Sequence, residues 1–292
     1  MEKLTLKKVA KRRKELVKFH LWDAPDADVI DAWTRQFDTL DDKKLAMIAL
    51  DALIVKSKES ALSALWYLLS SVLPDILGTC VYSRDHFGAV SYEVLRGRDF
   101  TRHIKIHRLE RPTGHPGAGQ SSDDIIRALK YTHSANSEYF NDPEANTPHI
   151  LLVDEFSGSG TQARKAITEW RDHLPASIKI SVFFVAIHQT GLALLKEELP
   201  DVNIYTTEIL GDESCLFTHI KNVLRLSTIE QAKDKLREFT RNNFAKERGV
   251  SLLGYKGMAL CFKPPFSACN NMAGLYLMKT KHTNVRLFGR GL

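Results

Sequence analysis

Residues 149–162 read His149-Ile-Leu-Leu-Val-Asp-Glu-Phe-Ser-Gly-Ser-Gly-Thr-Gln162, and this segment indicates how most of the chain folds. The four aliphatic residues 150–153 are typical of a strand that is buried on both faces of a parallel sheet. Two acids follow directly, and a turn with two glycines then leads into a helix that we predict over residues 161–173. Ligands of open α/β sheets bind at the carboxyl ends of the strands, so the segment predicts a binding site at the acids and the turn.

The segments on either side of this motif favour the same architecture. Apolar runs of strand length alternate with stretches of helical periodicity, which is typical of a parallel sheet covered by helices on both faces. We therefore predict an α/β fold with a parallel sheet over residues 79–292, and an N-terminal helical region over residues 1–78. The predicted strands cover residues 89–95, 103–109, 149–153, 178–187 and 202–209, and the predicted helices cover residues 3–19, 28–37, 41–55, 61–73, 121–131, 161–173, 192–199 and 228–246.

The composition is that of an ordinary globular protein, with 43% hydrophobic and 26% charged residues in a chain of 292. The four cysteines are scattered and form no Cys-x-x-Cys pair. This pattern indicates a reducing compartment and argues against a disulfide framework or a cysteine zinc site. The most apolar stretch, residues 61–77, includes Pro74 and Asp75, so it fits a core helix better than a membrane span. We expect a cytoplasmic protein without a membrane segment.

The chain is basic, with a formal net charge of +6 and a pI of about 9.0. Basic residues cluster within residues 7–18, 96–111 and 279–290. Such clusters attract phosphate groups, whether on a small substrate or along a nucleic acid. A solvated basic surface without a partner explains the same pattern equally well.

The turn after the acids contains the residues that an anion-binding loop needs. Its glycines allow positive φ angles and a close approach of the backbone, and the N–H groups at the start of a helix attract negative charge. The two acids, Asp154 and Glu155, should face a cleft with a polar partner, because burying unpaired carboxylates is costly. A strand end that caps the next helix without any ligand is the alternative interpretation. The predicted phosphate-binding residues are Phe156, Ser157, Gly158, Ser159, Gly160, Thr161 and Gln162.

This motif resembles the ribose 5-phosphate-binding motif of type I phosphoribosyltransferases, in which four apolar residues and two acids precede a loop ending in Thr/Ser-Gly-x-Thr. The resemblance implies that Asp154 and Glu155 are catalytic residues that hold the ribose 2′- and 3′-hydroxyls, and that the loop holds the 5′-phosphate. It implies phosphoribosyl pyrophosphate or a related nucleotide as the ligand, with Mg²⁺ bound through the substrate and not directly by protein residues. Gln162 stands at the final hydroxyl position of the motif, and Thr161 comes one place early. This departure favours phosphate binding over efficient transfer.

A second glycine-rich stretch precedes the helix predicted over residues 121–131. In a phosphoribosyltransferase this stretch would hold the pyrophosphate end of the donor, and a surface loop without a ligand is the alternative. Residues 114–121 also have the GxxxxG spacing of a P-loop NTPase, with residues 150–155 as its Walker B strand. That alternative lacks the phosphate-binding lysine, which is Gln120 here. The candidate pyrophosphate loop consists of Gly117, Ala118, Gly119 and Gln120.

The tail of the chain carries a further resemblance. Residues 267–277, after Pro264 and Pro265, resemble the Asn-rich tail of phosphoribosyltransferase-like proteins from prokaryotic conflict systems, with Asn270 and Asn271 kept. This resemblance implies an effector of anti-phage defence, as in retron systems, with a reverse transcriptase, a non-coding RNA or another defence protein as partner. A toxin or regulatory subunit that binds a nucleotide or RNA on the same fold without turnover is the alternative.

Overall fold

The computed structural model describes residues 5–77, 101–110, 112, 120–132, 137–141, 147–266 and 268–288. By the contacts between its residues the chain divides into two compact units, one formed by Met1–Lys58 with Leu210–Leu292 and the other by Glu59–Ile209. The predicted boundary between residues 78 and 79 lies outside the described residues and stays a prediction.

The helices and strands alternate along much of the chain. In chain order they are α1 (Leu6–Lys18), α2 (Ala27–Arg35), α3 (Leu40–Ala52), β1 (Ile54–Val55), α4 (Lys58–Tyr67), a π-helical turn (Leu68–Val72), α5 (Leu73–Leu77), β2 (Ile104–Arg108), α6 (Gln120–Tyr131), β3 (His149–Ser157), α7 (Thr161–His173), β4 (Lys179–His188), α8 (Gln189–Glu198), β5 (Asn203–Thr206), β6 (Ile209–Leu210), α9 (Leu216–Leu224), α10 (Ile229–Asn243) and β7 (Phe262–Lys263).

A parallel sheet of order β2-β3-β4-β5 organises the unit Glu59–Ile209, and the short β6 also pairs with β4. The central position of β3 explains its aliphatic run. Ile150 is paired in register with Lys105 of β2 on one side and with Ile180 of β4 on the other, and residues 150–153 are fully buried. The predicted α/β class with a parallel sheet is confirmed.

Helices cover this sheet on both faces. Side chains alternate between the two faces along each strand, so neighbouring residues of β3 contact different helices. Ile150 and Leu152 lie on the face that packs against α7 and α8 in one hydrophobic core. Arg108, which is paired in register with Val153, lies on the opposite face. Its ion pair with Asp123 of α6 shows that α6 covers that face.

The other unit has a mainly helical core, in which α1 packs against both α2 and α3, and α3 also contacts α9 and α10. An aromatic cluster fills part of this core. The ring centroids of Trp33 and Phe37 are 4.9 Å apart, and Phe37 lies 5.4 Å from Phe239. The two-residue strands β1 and β7 pair in parallel, so they join the beginning of the chain to its tail.

Several predicted elements are confirmed, and α7 has the predicted bounds. The prediction that β3 ends at residue 153 is wrong, because the strand continues to Ser157 and pairs with β4 as far as Ile187. The predicted strand over residues 202–209 consists of two short strands, β5 and β6. They are separated by a local turn in which the Thr206 hydroxyl donates to the carbonyl oxygen of Glu208.

Two further elements lie outside the described residues or go beyond the predictions. The strand predicted over residues 89–95 lies outside the described residues. Helix α9 was not predicted from the sequence, and its N-cap residue Cys215 makes no side-chain capping hydrogen bond.

None of the helices in the described part of the chain combines the length and the apolar character needed to cross a lipid bilayer.

Candidate functional site

The two predicted acids lie at the carboxyl end of β3, within the strand. Since side chains alternate along a strand, Asp154 points to the face of Ile150 and Leu152, and Glu155 points to the opposite face. Glu155 is only 1% exposed, whereas Asp154 is half-buried. The structure therefore brings the two carboxylates to the same strand end but gives them different surroundings.

The surroundings of Asp154 disfavour its negative charge. The pKa of Asp154 is raised to about 7, mainly by burial and also by the carboxylates of Glu155 and Glu110, against the effect of a hydrogen bond from the Glu155 N–H. That N–H lies 2.8 Å from Asp154 Oδ1. Asp154 is therefore poised to change protonation near neutral pH, which is typical of residues in functional sites.

Glu110 reaches this strand end from the segment after β2. Its backbone carbonyl accepts a hydrogen bond of 2.7 Å from the Trp170 indole N–H of α7. Its carboxylate makes an ion pair with Arg108, which also pairs with Asp123 at the start of α6. Burial raises the pKa of Glu110 as well, and the charge of Arg108 opposes this effect. The carboxyl ends of β2 and β3 thus carry Asp154, Glu110 and Arg108 in addition to the buried Glu155, and Asp123 reaches Arg108 from α6.

The turn that follows β3 offers unpaired backbone donors. In the described part of the chain, the N–H groups of Gly158, Ser159 and Gly160 make no hydrogen bond. These residues are buried. Buried N–H groups almost always have a partner. Three consecutive donors at the start of α7 therefore form an arrangement that an anion would complete.

Glycine is required at two places where this turn meets α8. Gly160 has a φ of 74° and is the N-cap of α7. A Cβ atom on Gly160 would lie 2.9 Å from the carbonyl oxygen of Gly191, and a Cβ atom on Gly191 would lie 2.9 Å from the Gly160 nitrogen. The backbone of α8 therefore supports the turn and fixes its conformation.

The other predicted phosphate-binding residues surround the same turn. The Ser159 hydroxyl donates to Thr161 Oγ1 at 3.2 Å, and Ser157 is buried at the end of β3. Phe156 and Thr161 are half-buried, and Gln162 in the first turn of α7 is exposed. The structure thus brings the motif residues together, with Gln162 at its solvent-facing margin.

The candidate pyrophosphate loop is only partly described. Gly117, Ala118 and Gly119 lie outside the described residues, as does most of the stretch with P-loop spacing. Gln120 is the first residue of α6. The roles predicted for this loop stay predictions.

Two residues of the site were missed by the sequence analysis. Glu110 carried no local signal, because its approach to Asp154 depends on how β2 and β3 pair. Gly191 carried a usable signal, since it is the sole glycine between residues 161 and 210 and lies at the start of the helical segment after an apolar strand. A lone glycine in such a helix indicates a close approach of another backbone.

The sequence of the chain matches a known protein family. The family model for PRTase-CE matches residues 30–290. No curated protein matches the sequence. Among solved structures, the chain is similar to the AQ2163 protein from Aquifex aeolicus, with 13% identity, a TM-score of 0.32, and coverage of 63% of this chain and 82% of that chain. It is also similar to orotate phosphoribosyltransferase from Aeropyrum pernix, with 14% identity, a TM-score of 0.27, and coverage of 45% of this chain and 70% of that chain.

Both TM-scores are low, so the assignment rests on the sequence match, which spans most of the chain. This match confirms the phosphoribosyltransferase-like part of the predicted resemblance. The chain belongs to the PRTase-CE family.

Proposed function

We propose that the carboxyl end of β3 binds the ribose 5-phosphate part of phosphoribosyl pyrophosphate or a related nucleotide. The observation that carries this proposal is the set of buried N–H groups of Gly158, Ser159 and Gly160 without an acceptor in the described part of the chain. A phosphate at this turn accepts these hydrogen bonds and also meets the positive end of the α7 dipole.

The acids complete the proposed site. Asp154 is the acid with an exposed fraction, so it accepts hydrogen bonds from the ribose hydroxyls. Glu155 is buried on the other face of β3, and its predicted contact with the ribose hydroxyls stays a prediction. Glu110 lies close enough to Asp154 to raise its pKa, and it borders the site from the β2 side.

We propose that Mg²⁺ binds together with phosphoribosyl pyrophosphate. Phosphate oxygens are ligands that Mg²⁺ prefers, so we propose that the ion is held through the substrate and not directly by protein residues. The ion would supply charge neutralisation for the pyrophosphate group. The residues of the chain bind and orient the sugar phosphate, which is the part of transfer that depends on positioning.

Binding without transfer is the second candidate function. The exposed side chain of Gln162 stands where the family motif has a hydroxyl, so the loop lacks one phosphate ligand that transferases of this type use. Pyrophosphate release from phosphoribosyl pyrophosphate, measured in a cell extract that supplies the acceptor, separates the two functions. Release that depends on Asp154 supports transfer, and tight binding without release supports a nucleotide-binding regulatory module.

The proposed site is tested by the backbone amide signals of nitrogen-labelled protein. We expect the signals of Gly158, Ser159 and Gly160 to shift when ribose 5-phosphate is added and to stay unchanged with ribose. The amide signals of Gly249 and Gly257, in the other compact unit, are internal controls. Unchanged signals of the turn at saturating ribose 5-phosphate would overturn the proposal.

The wider biological setting is also a proposal. From the resemblance of the tail around Asn270 and Asn271 we infer an effector role in anti-phage defence, with a reverse transcriptase, non-coding RNA or other defence protein as partner. The scattered cysteines support a cytoplasmic location as a further proposal. Both asparagines lie in the described tail, where the carbonyl oxygen of Asn270 accepts a hydrogen bond of 2.7 Å from the Tyr255 N–H. Loss of phage protection in cells that carry Asp154→Ala would support this role, and full protection would contradict it.

A further inference from the structure

The first helix, α1, has the same net charge as the entire chain. Helix α1 has seven basic residues and one acidic residue, which is a net charge of +6. The whole chain has 41 basic and 35 acidic residues, also a net charge of +6. The remainder of the protein is therefore balanced, and α1 is its one strongly basic helix among those described.

Two of these basic side chains serve the fold. The Arg13 side chain donates a hydrogen bond of 3.0 Å to the Leu50 carbonyl oxygen at the end of α3, and it stacks over Trp22 at 5.0 Å. Lys14 makes a hydrogen bond of 2.8 Å with Asp31 of α2. These contacts hold α1 in place and leave its opposite side to solvent.

The other side of α1 presents an exposed and mainly basic face, formed by Lys7, Lys11, Arg12 and Lys18, with the exposed Glu15 among them. No carboxylate among the described residues makes an ion pair with these four side chains. Lys7, Lys11 and Lys18 are four and seven residues apart, so they line one side of the helix. They span about 16 Å along the helix axis.

Helix α10 shows what a solvated charged helix looks like in the same protein. Lys233 pairs with Glu230, Lys235 pairs with Glu238, and Arg237 pairs with Glu230 and Asp234. Three of the four basic residues of α10 are thus paired with acids of their own helix, which is the usual pattern of a surface helix. The basic face of α1 differs because its charges have no such partners.

A polyanion fits this face better than a lipid surface does. The apolar side of α1 is turned inward, with Val9 and Ala10 buried in the core, so the helix has no free apolar face to enter a membrane. Phe19 lies directly beyond Lys18 and is 67% exposed. A row of cations with an adjacent exposed aromatic ring is the combination that binds single-stranded nucleic acid.

We infer that the basic face of α1 binds single-stranded nucleic acid through its phosphates, with Phe19 stacking on a base. The length of the face corresponds to roughly five nucleotides of a stacked strand. This inference is independent of the sugar-phosphate site proposed at β3.

The test uses the full chain and a labelled single strand of about 20 nucleotides. Binding is measured by fluorescence anisotropy between about 0.05 M and 0.2 M salt. The triple variant Lys7→Gln, Lys11→Gln, Lys18→Gln keeps good helix formers at each position. We expect it to bind about tenfold more weakly or worse, with a log–log salt slope that is shallower by about 2.

The matched control is Lys233→Gln, Lys235→Gln, Arg237→Gln in α10, which removes the same number of charges and should change affinity by less than about twofold. Phe19→Ala should weaken binding of the single strand several-fold and leave binding of a duplex unchanged. Circular dichroism verifies that each variant is folded.

Three results would overturn the inference. The first is unchanged affinity in the α1 variant, and the second is an equal loss in the α10 variant. The third is binding of the full chain to vesicles with phosphatidylserine, abolished by the α1 variant, without any binding of the single strand.

Discussion

The backbone of Gly191, near the start of α8, lies against the backbone of Gly158 in the turn after β3. The contact leaves no space for a side chain on Gly191, since its Cβ atom would lie 2.9 Å from the Gly160 nitrogen and closer still to the Gly158 carbonyl oxygen. A helix outside the motif thus sets the position of the N–H groups that we propose to bind phosphate.

Gly191→Ala should therefore displace the turn. We expect a loss of stability of about 1–3 kcal/mol from overpacking and an affinity for ribose 5-phosphate lowered about tenfold or more, because small displacements of binding groups are costly. Chemical denaturation and titration calorimetry measure the two effects. Ala193→Gly, at an exposed position of the same helix, should lower stability by about 1 kcal/mol and leave affinity unchanged. Unaltered affinity in Gly191→Ala would show that α8 does not position the turn.

Asp154 should make the protein less stable as the pH rises from about 4 to about 7. In this window the folded state keeps a proton on Asp154, whose pKa is raised to about 7, while the unfolded chain has released it. Asp154→Asn removes this loss. We expect it to raise the free energy of unfolding by roughly 2 kcal/mol at a pH of about 8, measured by urea denaturation. A lower stability of Asp154→Asn at that pH would mean that the carboxylate is stabilised in the fold.

His149 should have the opposite effect. Burial and, to a smaller extent, the charge of Lys179 lower the pKa of His149 to about 4, so its ring stays neutral next to Ser181 Oγ at 2.9 Å. Between a pH of about 6.5 and about 4, the unfolded chain takes up a proton that the folded chain does not, so stability falls on acidification. His149→Gln should remove this fall, and the contribution of Asp154 should then make stability rise on acidification. A profile like that of the wild type would exclude His149 as the cause.

The motif could be predicted from the sequence because its signals are local. The aliphatic run, the glycine turn and the start of α7 at Thr161 each depend on adjacent residues. The extension of β3 through Asp154 and Glu155 could not be predicted in this way, since charged residues end the apolar pattern. Those residues are held in the strand by β4, which continues beside them to Ile187.

Long-range pairing explains why strand β1 and the role of Glu110 were not predicted from the sequence. Strand β1 has two residues, and its partner β7 is more than two hundred residues further along the chain, at Phe262 and Lys263. No local periodicity can indicate such a strand. The same applies to Glu110, whose position near Asp154 results from the register between β2 and β3.

Gln36 should be a destabilising residue in the helical unit. It is 5% exposed, and neither its amide oxygen nor its amide nitrogen has a hydrogen-bond partner among the described residues. Gln36→Met removes the buried polar group at similar volume, so we expect about 1–2 kcal/mol of added stability. Gln36→Glu should destabilise, because it buries a charge. Thermal or urea denaturation distinguishes these outcomes, and a less stable Gln36→Met would indicate that the amide is hydrogen-bonded in solution.

Titration calorimetry of the full chain with phosphoribosyl pyrophosphate and Mg²⁺ addresses the proposed site itself. We predict binding to the wild type and to His149→Gln with similar affinity, and binding to Asp154→Asn that is about tenfold weaker or worse, since the hydroxyl-binding carboxylate is lost. Absence of heat with the folded wild type, or equal affinity in Asp154→Asn, would contradict a sugar-phosphate site at the end of β3.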